Sequence, residues 1–171
     1  MTISAGKNLL MVWHSRTGAS WQMTQAALRG AQAVIQELQA ANQLNVVVKA
    51  AGEADVSDLL AADAYLFCAP ENLASLSGEM KEFFDRTYYG ALEQMNGRPY
   101  GLMISAGTDG TAAARQAERI CTGWRLQLIA PALVIKTGAQ TPEAIAAPKT
   151  IKPEDRALCE TLGGTLAALL L

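Results

Sequence analysis

The chain has 171 residues, half of them hydrophobic and 18% charged, with 14 basic and 16 acidic side chains and a formal net charge of -2. That length can close a sizeable core without a disulfide or a structural metal, and the three widely spaced cysteines, Cys68, Cys121 and Cys159, form no C-x-x-C pair of redox or zinc type. The charge balance offers no basic stripe for nucleic acid, no apolar run is long enough for a bilayer, and no signal-peptide pattern opens the chain, so one soluble domain over residues 1–171 in a reducing cytoplasm is the expectation.

In chain order, residues 9–13 form an unbroken apolar run, as a central parallel strand covered on both faces should. A long helix follows the next loop, with Ala27, Ala31, Val34 and Leu38 at spacings of three and four, and Leu28 and Ile35 widening the stripe. "NVVVKA" reads as a second strand, "DVSDLLAA" as a short helix capped by Asp55 or Ser57, and "AYLFCAP" as a third strand stopped by Pro70. Over residues 80–95, Phe84, Tyr88, Leu92 and Met95 make the apolar stripe of a third helix. "YGLMISA" is a fourth strand, residues 111–124 a fourth helix, "PALVIKT" a fifth strand, and residues 154–170 a closing helix after Pro153. The stretch "GAQTPEAIAAPKTIKP" has three prolines and no clear period, and is expected to be a surface excursion. This alternation is that of an α/β fold with a right-handed parallel sheet, whose ligand should sit where loops leave the carboxyl ends of the strands.

The loop after the first strand, "HSRTGAS", gathers the hydroxyls of Ser15, Thr17 and Ser20 around Gly18, immediately before a helix. Unpaired amides and the positive dipole end at a helix start attract an anion, and each charge-assisted hydrogen bond contributes ~1.5–3 kcal/mol. A phosphate cradle and a local helix cap both fit those residues. The loop lacks the G-K-[ST] ending of a nucleotide triphosphatase, "GTDGT" is too short for G-x-G-x-x-G, and His14 and Ser15 stand where a receiver domain would need paired acids for magnesium.

"HSRTGAS" resembles the phosphate loop of the flavodoxin family, S/T-x-T-G-x-T/S, with Ser15, Thr17, Gly18 and Ser20 matching in order. "APENLASLSGEMKEFFDRTY" resembles the flavin-wrapping loop and helix of NAD(P)H-dependent FMN and quinone reductases, where Ser77, Gly78, Lys81, Asp85 and Arg86 fit the signature S-G/P-G-x-x-K-x-F-x-D-R/W. "SAGTDG" is similar to the small-residue loop at the other flavin edge in these families. The chain departs from the pattern at Ser20, where threonine is commoner, and in "PENLAS", which has no aromatic to stack on the ring.

The resemblance implies a flavodoxin-like three-layer sandwich: a five-stranded parallel sheet in the order 2-1-3-4-5 with helices on both faces. It implies FMN held by Ser15, Arg16, Thr17, Gly18, Ala19 and Ser20 at the phosphate. Pro70, Glu71, Asn72 and Leu73 would then line one ring edge, and Ser105, Ala106, Gly107, Thr108, Asp109 and Gly110 the other. Leu73 and Leu76 are expected to supply an apolar slot, Arg16 to reach the phosphate or an incoming nucleotide, and Asp109 either to touch the cofactor or to cap the following helix. Arg86 has Asp85, Asp109 or ligand as candidate partners, and Tyr88 and Tyr89 read as core and interface residues.

The flavin would carry the chemistry, because no nucleophilic triad, paired-carboxylate set or metal cluster is convincingly placed and His14 is the single histidine. The expected function is an NADH- or NADPH-dependent oxidoreductase that reduces a small acceptor such as a quinone or free flavin. A flavodoxin-type electron carrier is the alternative, and a flavin-free binding module on the same fold the third reading. A carrier steered by charge calls for a strong one-signed field, which 16 acids against 14 bases do not supply. Leu73, Leu76 and Tyr89 are the apolar candidates for a homodimer surface.

Overall fold

A computed structural model describes residues 6–171. At its centre, β1 (Lys7–Trp13) pairs in parallel with β2 (Leu44–Ala50) on one side and β3 (Ala64–Asn72) on the other. β3 in turn pairs in parallel with β5 (Pro99–Ala106), placing Pro70 beside Ser105 at the carboxyl end. The far edge consists of two short pieces along β5. β6 (Gln127–Leu128) pairs with Pro99 and Tyr100, and β7 (Leu133–Lys136) pairs with Met103 to Ala106. Pro131 lies between the pieces and has no amide to continue the ladder. With these two counted as one broken strand, the expected order 2-1-3-4-5 is recovered; the remaining strand, β4 (Ser75–Leu76), folds back antiparallel on the end of β3.

Period-2 alternation splits the sheet's side chains between two cores. Leu10, Val12, Tyr65, Phe67, Leu102 and Ile104 pack with side chains of α2 (Val56–Ala61), α3 (Gly78–Ala91) and α4 (Thr111–Gly123). Phe67 is the hub there, its ring centroid 5.2 Å from that of Phe84, 6.2 Å from Tyr100 and 6.4 Å from Trp124. On the other face Leu9, Met11, Leu66, Cys68 and Met103 pack with α1 (Ala19–Glu37) and α6 (Pro153–Leu170). Among the described residues no helix is long and apolar enough to cross a membrane.

The two helices of that second face approach until backbones touch. A Cβ on Gly163 would lie 1.9 Å from the Ala27 carbonyl oxygen, and one on Gly30 would lie 1.9 Å from that of Glu160. This pulls the buried face of α1 toward Met23, Ala26, Ala27 and Ala31, and leaves Leu38, expected on the stripe, 56% exposed beyond the helix end. The third helix also stops earlier than its periodicity suggests: α3 ends at Ala91, and Met95 reaches the core from the following turn. Asp55 caps α2 through a reciprocal capping box with Asp58. The proline-rich stretch after β7, expected as a surface excursion, contains a short helix, α5 (Pro142–Ala146), which buries no side chain.

Candidate cofactor site

The carboxyl ends of β1, β3 and β5 bring the three loops together. Residues 14–18 turn directly from β1 into α1, and Gly18 makes that turn at φ 94°, a left-handed conformation suited to glycine. No side chain caps the first turn of α1. The Ser15 hydroxyl instead accepts the Gly18 amide at 3.1 Å, which curls the loop back on itself. Its amide-rich start, the half-buried Thr17 beside it and the helix dipole form a donor set that fits a phosphate dianion. A local cap and an anion cradle compete for such residues, and the uncapped first turn favours the cradle.

Two of the expected contacts lie beneath this cradle. Ser20 and Ser105 are both buried, and their hydroxyls meet each other at 2.8 Å. The pair ties the first turn of α1 to the end of β5, whereas Ser15 and Thr17 are only half-buried. Cys68 donates to the Ser20 carbonyl at 3.3 Å. Burial pushes its thiol, and that of Cys159, up to about 12, so neither is a thiolate near neutral pH.

His14 and Arg16 join the first loop to the second. His14 Nδ1 lies 2.8 Å from the buried Ser77 hydroxyl, and Nε2 lies 3.5 Å from a Glu79 oxygen. Although serine, histidine and acid meet here, Ser77 is buried at the start of α3, so the trio anchors a helix and presents no open nucleophile. Arg16 is mostly exposed, 3.7 Å from Glu79. With the Asn72 amide oriented to satisfy both its atoms, Asn72 accepts from Arg16 Nε at 3.2 Å. Burial lowers the His14 pKa from 6.5; Glu79 raises it and Arg16 lowers it. The neutral ring is therefore the form the fold prefers. Its stabilising contribution is complete above pH 6.5 and is lost as the pH falls through the lowered value. Urea midpoints are expected to fall between pH 7 and pH 5, with a flatter profile in His14→Gln; the same slope in both proteins would contradict this assignment.

The second loop is a tight hairpin. Leu73 and Ala74 take φ of 51° and 59° between β3 and β4, a strained pair for residues other than glycine or asparagine. Leu73 stands fully exposed at the tip, whereas Leu76 is 4% exposed and belongs to the aromatic core. The expected slot between the two leucines therefore does not form. Glu71 bridges the second and third loops instead, its carboxylate accepting from the amides of Gly110 at 3.0 Å and Ala113 at 3.4 Å. Gln116 adds a second tie, accepting from the Ser75 hydroxyl at 2.9 Å and the Leu76 amide at 2.8 Å.

In the third loop Asp109 accepts from the Thr111 hydroxyl at 2.5 Å, and Gly110, at φ 84°, is the residue that enters α4. The local role of Asp109 is thus a turn before the helix. Lys81 donates to Asp85, while Arg86 donates to Glu82 and to the carbonyls of Ala51 and Ala54. That corrects the expected partners of Arg86: it holds α3 to the turn after β2, while Lys81 and Asp85 pair within the helix. Tyr88 stacks on Trp124 at 5.6 Å, and Tyr89 is exposed.

Gln22 and residues 148–151 carried no motif, yet they border the first loop. Gln22 Nε2 donates to the Gly18 carbonyl at 3.1 Å and to the Lys149 carbonyl at 2.7 Å, and its oxygen accepts the Ile151 amide at 3.1 Å. A glutamine one turn into a helix gives no local signal of so distant a partner.

A parallel sheet of this order, helices on both faces and an uncapped glycine-turn loop at the end of β1 define a flavodoxin-like protein. The chain belongs to the NADPH-dependent FMN reductase family, whose model matches residues 13–140. Among solved structures, it is similar to a flavodoxin from the domain Archaea, at 16% identity and a TM-score of 0.73, covering 95% of this chain and 98% of that one. A Streptococcus pneumonia TIGR4 flavodoxin aligns at 20% identity and a TM-score of 0.71, over 95% of this chain and 99% of the other. A flavodoxin, WrbA-like protein from Agrobacterium tumefaciens aligns at 17% identity and a TM-score of 0.65, over 96% and 98%. These structures show the fold. No curated protein sequence matches the chain.

Proposed function

We propose that the chain binds FMN at the first loop and uses NADPH to reduce a small acceptor, a quinone or a free flavin. The family supports the cofactor and the donor. The observation that carries the reading in this molecule is the uncapped, glycine-initiated start of α1, beside Ser15 and Thr17. Those groups hold the phosphate, Glu71 and Gln116 keep the two ring loops at a fixed spacing, and the Ser20 and Ser105 pair fixes the helix start above the sheet. When bound, FMN supplies hydride acceptance from the nicotinamide and electron release to the acceptor. The protein's task is therefore binding, orientation and access.

The near balance of 16 acids and 14 bases favours a small-molecule acceptor over a protein partner steered by charge. The purified protein loaded with FMN is expected to oxidise NADPH steadily when a quinone or free FMN is supplied, followed at the nicotinamide absorbance. No turnover with either nicotinamide nucleotide, together with a stable one-electron flavin radical on chemical reduction, would instead support the carrier reading.

A further inference from the structure

Residues 138–152 cross the carboxyl end of the sheet from β7 to α6, and most of that crossing lies beyond the part matched by the family. Both ends are pinned to flavin loops. The Gly138 amide donates to the Gly107 carbonyl at 2.8 Å, where the chains run so close that a Cβ on Gly107 would lie 2.8 Å from the Ala139 carbonyl oxygen. At the other end the Lys149 amide donates to the Thr17 carbonyl at 2.8 Å. Between the pins no hydrogen bond among the described residues ties the segment to the body: α5 buries no side chain, Ile145 is 55% exposed, and a cleft of about 370 Å³ opens between the end of β7 and residues 148–152. The Lys149 ammonium is spent within the segment, donating to the Ala144 and Ile145 carbonyls at 2.7 and 3.0 Å.

Gln22 secures the pinned end near Thr17. Its three hydrogen bonds join the Gly18 carbonyl at the entrance to α1, the Lys149 carbonyl and the Ile151 amide. A primary amide can satisfy a carbonyl pair and an amide at once only from a fixed position; losing it frees the Lys149 carbonyl and the Ile151 amide together, while the Gly18 carbonyl keeps the Gln22 backbone amide at 3.1 Å. We propose that residues 138–152 are a strap over the phosphate end of the cofactor, and that Gln22 is the positioning residue that latches the strap to the phosphate loop. The strap sets how fast FMN leaves. This proposal rests on FMN binding at the first loop.

The segment carries its own reporter. Lys149 and Lys152 are its two basic residues, and Lys152 precedes Pro153, so trypsin can cut the strap efficiently only after Lys149. In wild-type protein FMN is expected to slow that cut, whereas riboflavin, which lacks the phosphate, leaves it unchanged. In Gln22→Ala the cut in flavin-free protein accelerates, FMN dissociates at least ~10-fold faster in a stopped-flow fluorescence chase, and riboflavin affinity stays the same. A general loss of structure would weaken both flavins alike, so the FMN-to-riboflavin ratio separates latching from mere destabilisation. Equal protection by the two flavins, or an unchanged FMN off-rate in Gln22→Ala, overturns the strap while leaving the cofactor reading intact. Wild-type protein that fails to bind FMN overturns both.

Discussion

Ser15→Ala combined with Thr17→Val is expected to weaken FMN binding by about 100-fold and to leave riboflavin binding within about twofold, because two hydrogen bonds to a charged phosphate, worth ~1.5 kcal/mol each at the low end, are removed. The Ser15 hydroxyl also loses its bond from the Gly18 amide, which relaxes the turn that gathers the donors. Ser20→Ala is the informative contrast. Ser20 is buried against Ser105, so its loss is expected to cost about 1 kcal/mol of stability and little FMN affinity. Fluorescence titrations of the two variants with both flavins check the pair. Equal losses of FMN affinity would place Ser20 in the cradle and contradict the geometry described above.

The largest effect on stability is expected at Gly163. An alanine there places Cβ 1.9 Å from the Ala27 carbonyl oxygen, and that obstacle is helix backbone, which cannot step aside as a side chain would. Overpacking of cores costs roughly 1–3 kcal/mol and more where the neighbour is rigid, so at least ~3 kcal/mol is expected. For a chain of this size that lowers the melting temperature by roughly 6–12 °C. Gly52→Ala, with nothing within 4 Å of the new Cβ and no positive φ, serves as the control and should melt near the wild-type temperature. If Gly163→Ala melts there as well, the close approach of α1 and α6 is not what holds this face together.

The elements that the sequence discloses are those governed by local rules. A continuous apolar run marks β1 because both its faces are covered, and α2 is announced by the caps its sequence offers, Asp55 or Ser57, of which Asp55 completes a capping box within four residues. The loop proposed to hold the phosphate is legible for the same reason: glycine, hydroxyls and a helix start are adjacent in sequence. What stays hidden depends on distant partners. The burial of Leu76 follows from β4 folding back on β3, and the hydroxyl of Ser20 is claimed by Ser105, 85 residues away. Arg86 looks like part of a ligand signature, yet its acceptors include two carbonyls of the turn after β2. Most hidden of all is the proline-rich strap, whose composition reads as a plain surface loop and whose role near the first loop depends on Gln22.

One measurement bears most directly on the central claim that the start of α1 holds the phosphate of FMN. Equilibrium titration of flavin-free protein with FMN and with riboflavin, followed by quenching of flavin fluorescence, is predicted to show one FMN per chain and an affinity at least ~10-fold higher than for riboflavin. Equal affinity for the two flavins, or no quenching by FMN, would contradict it.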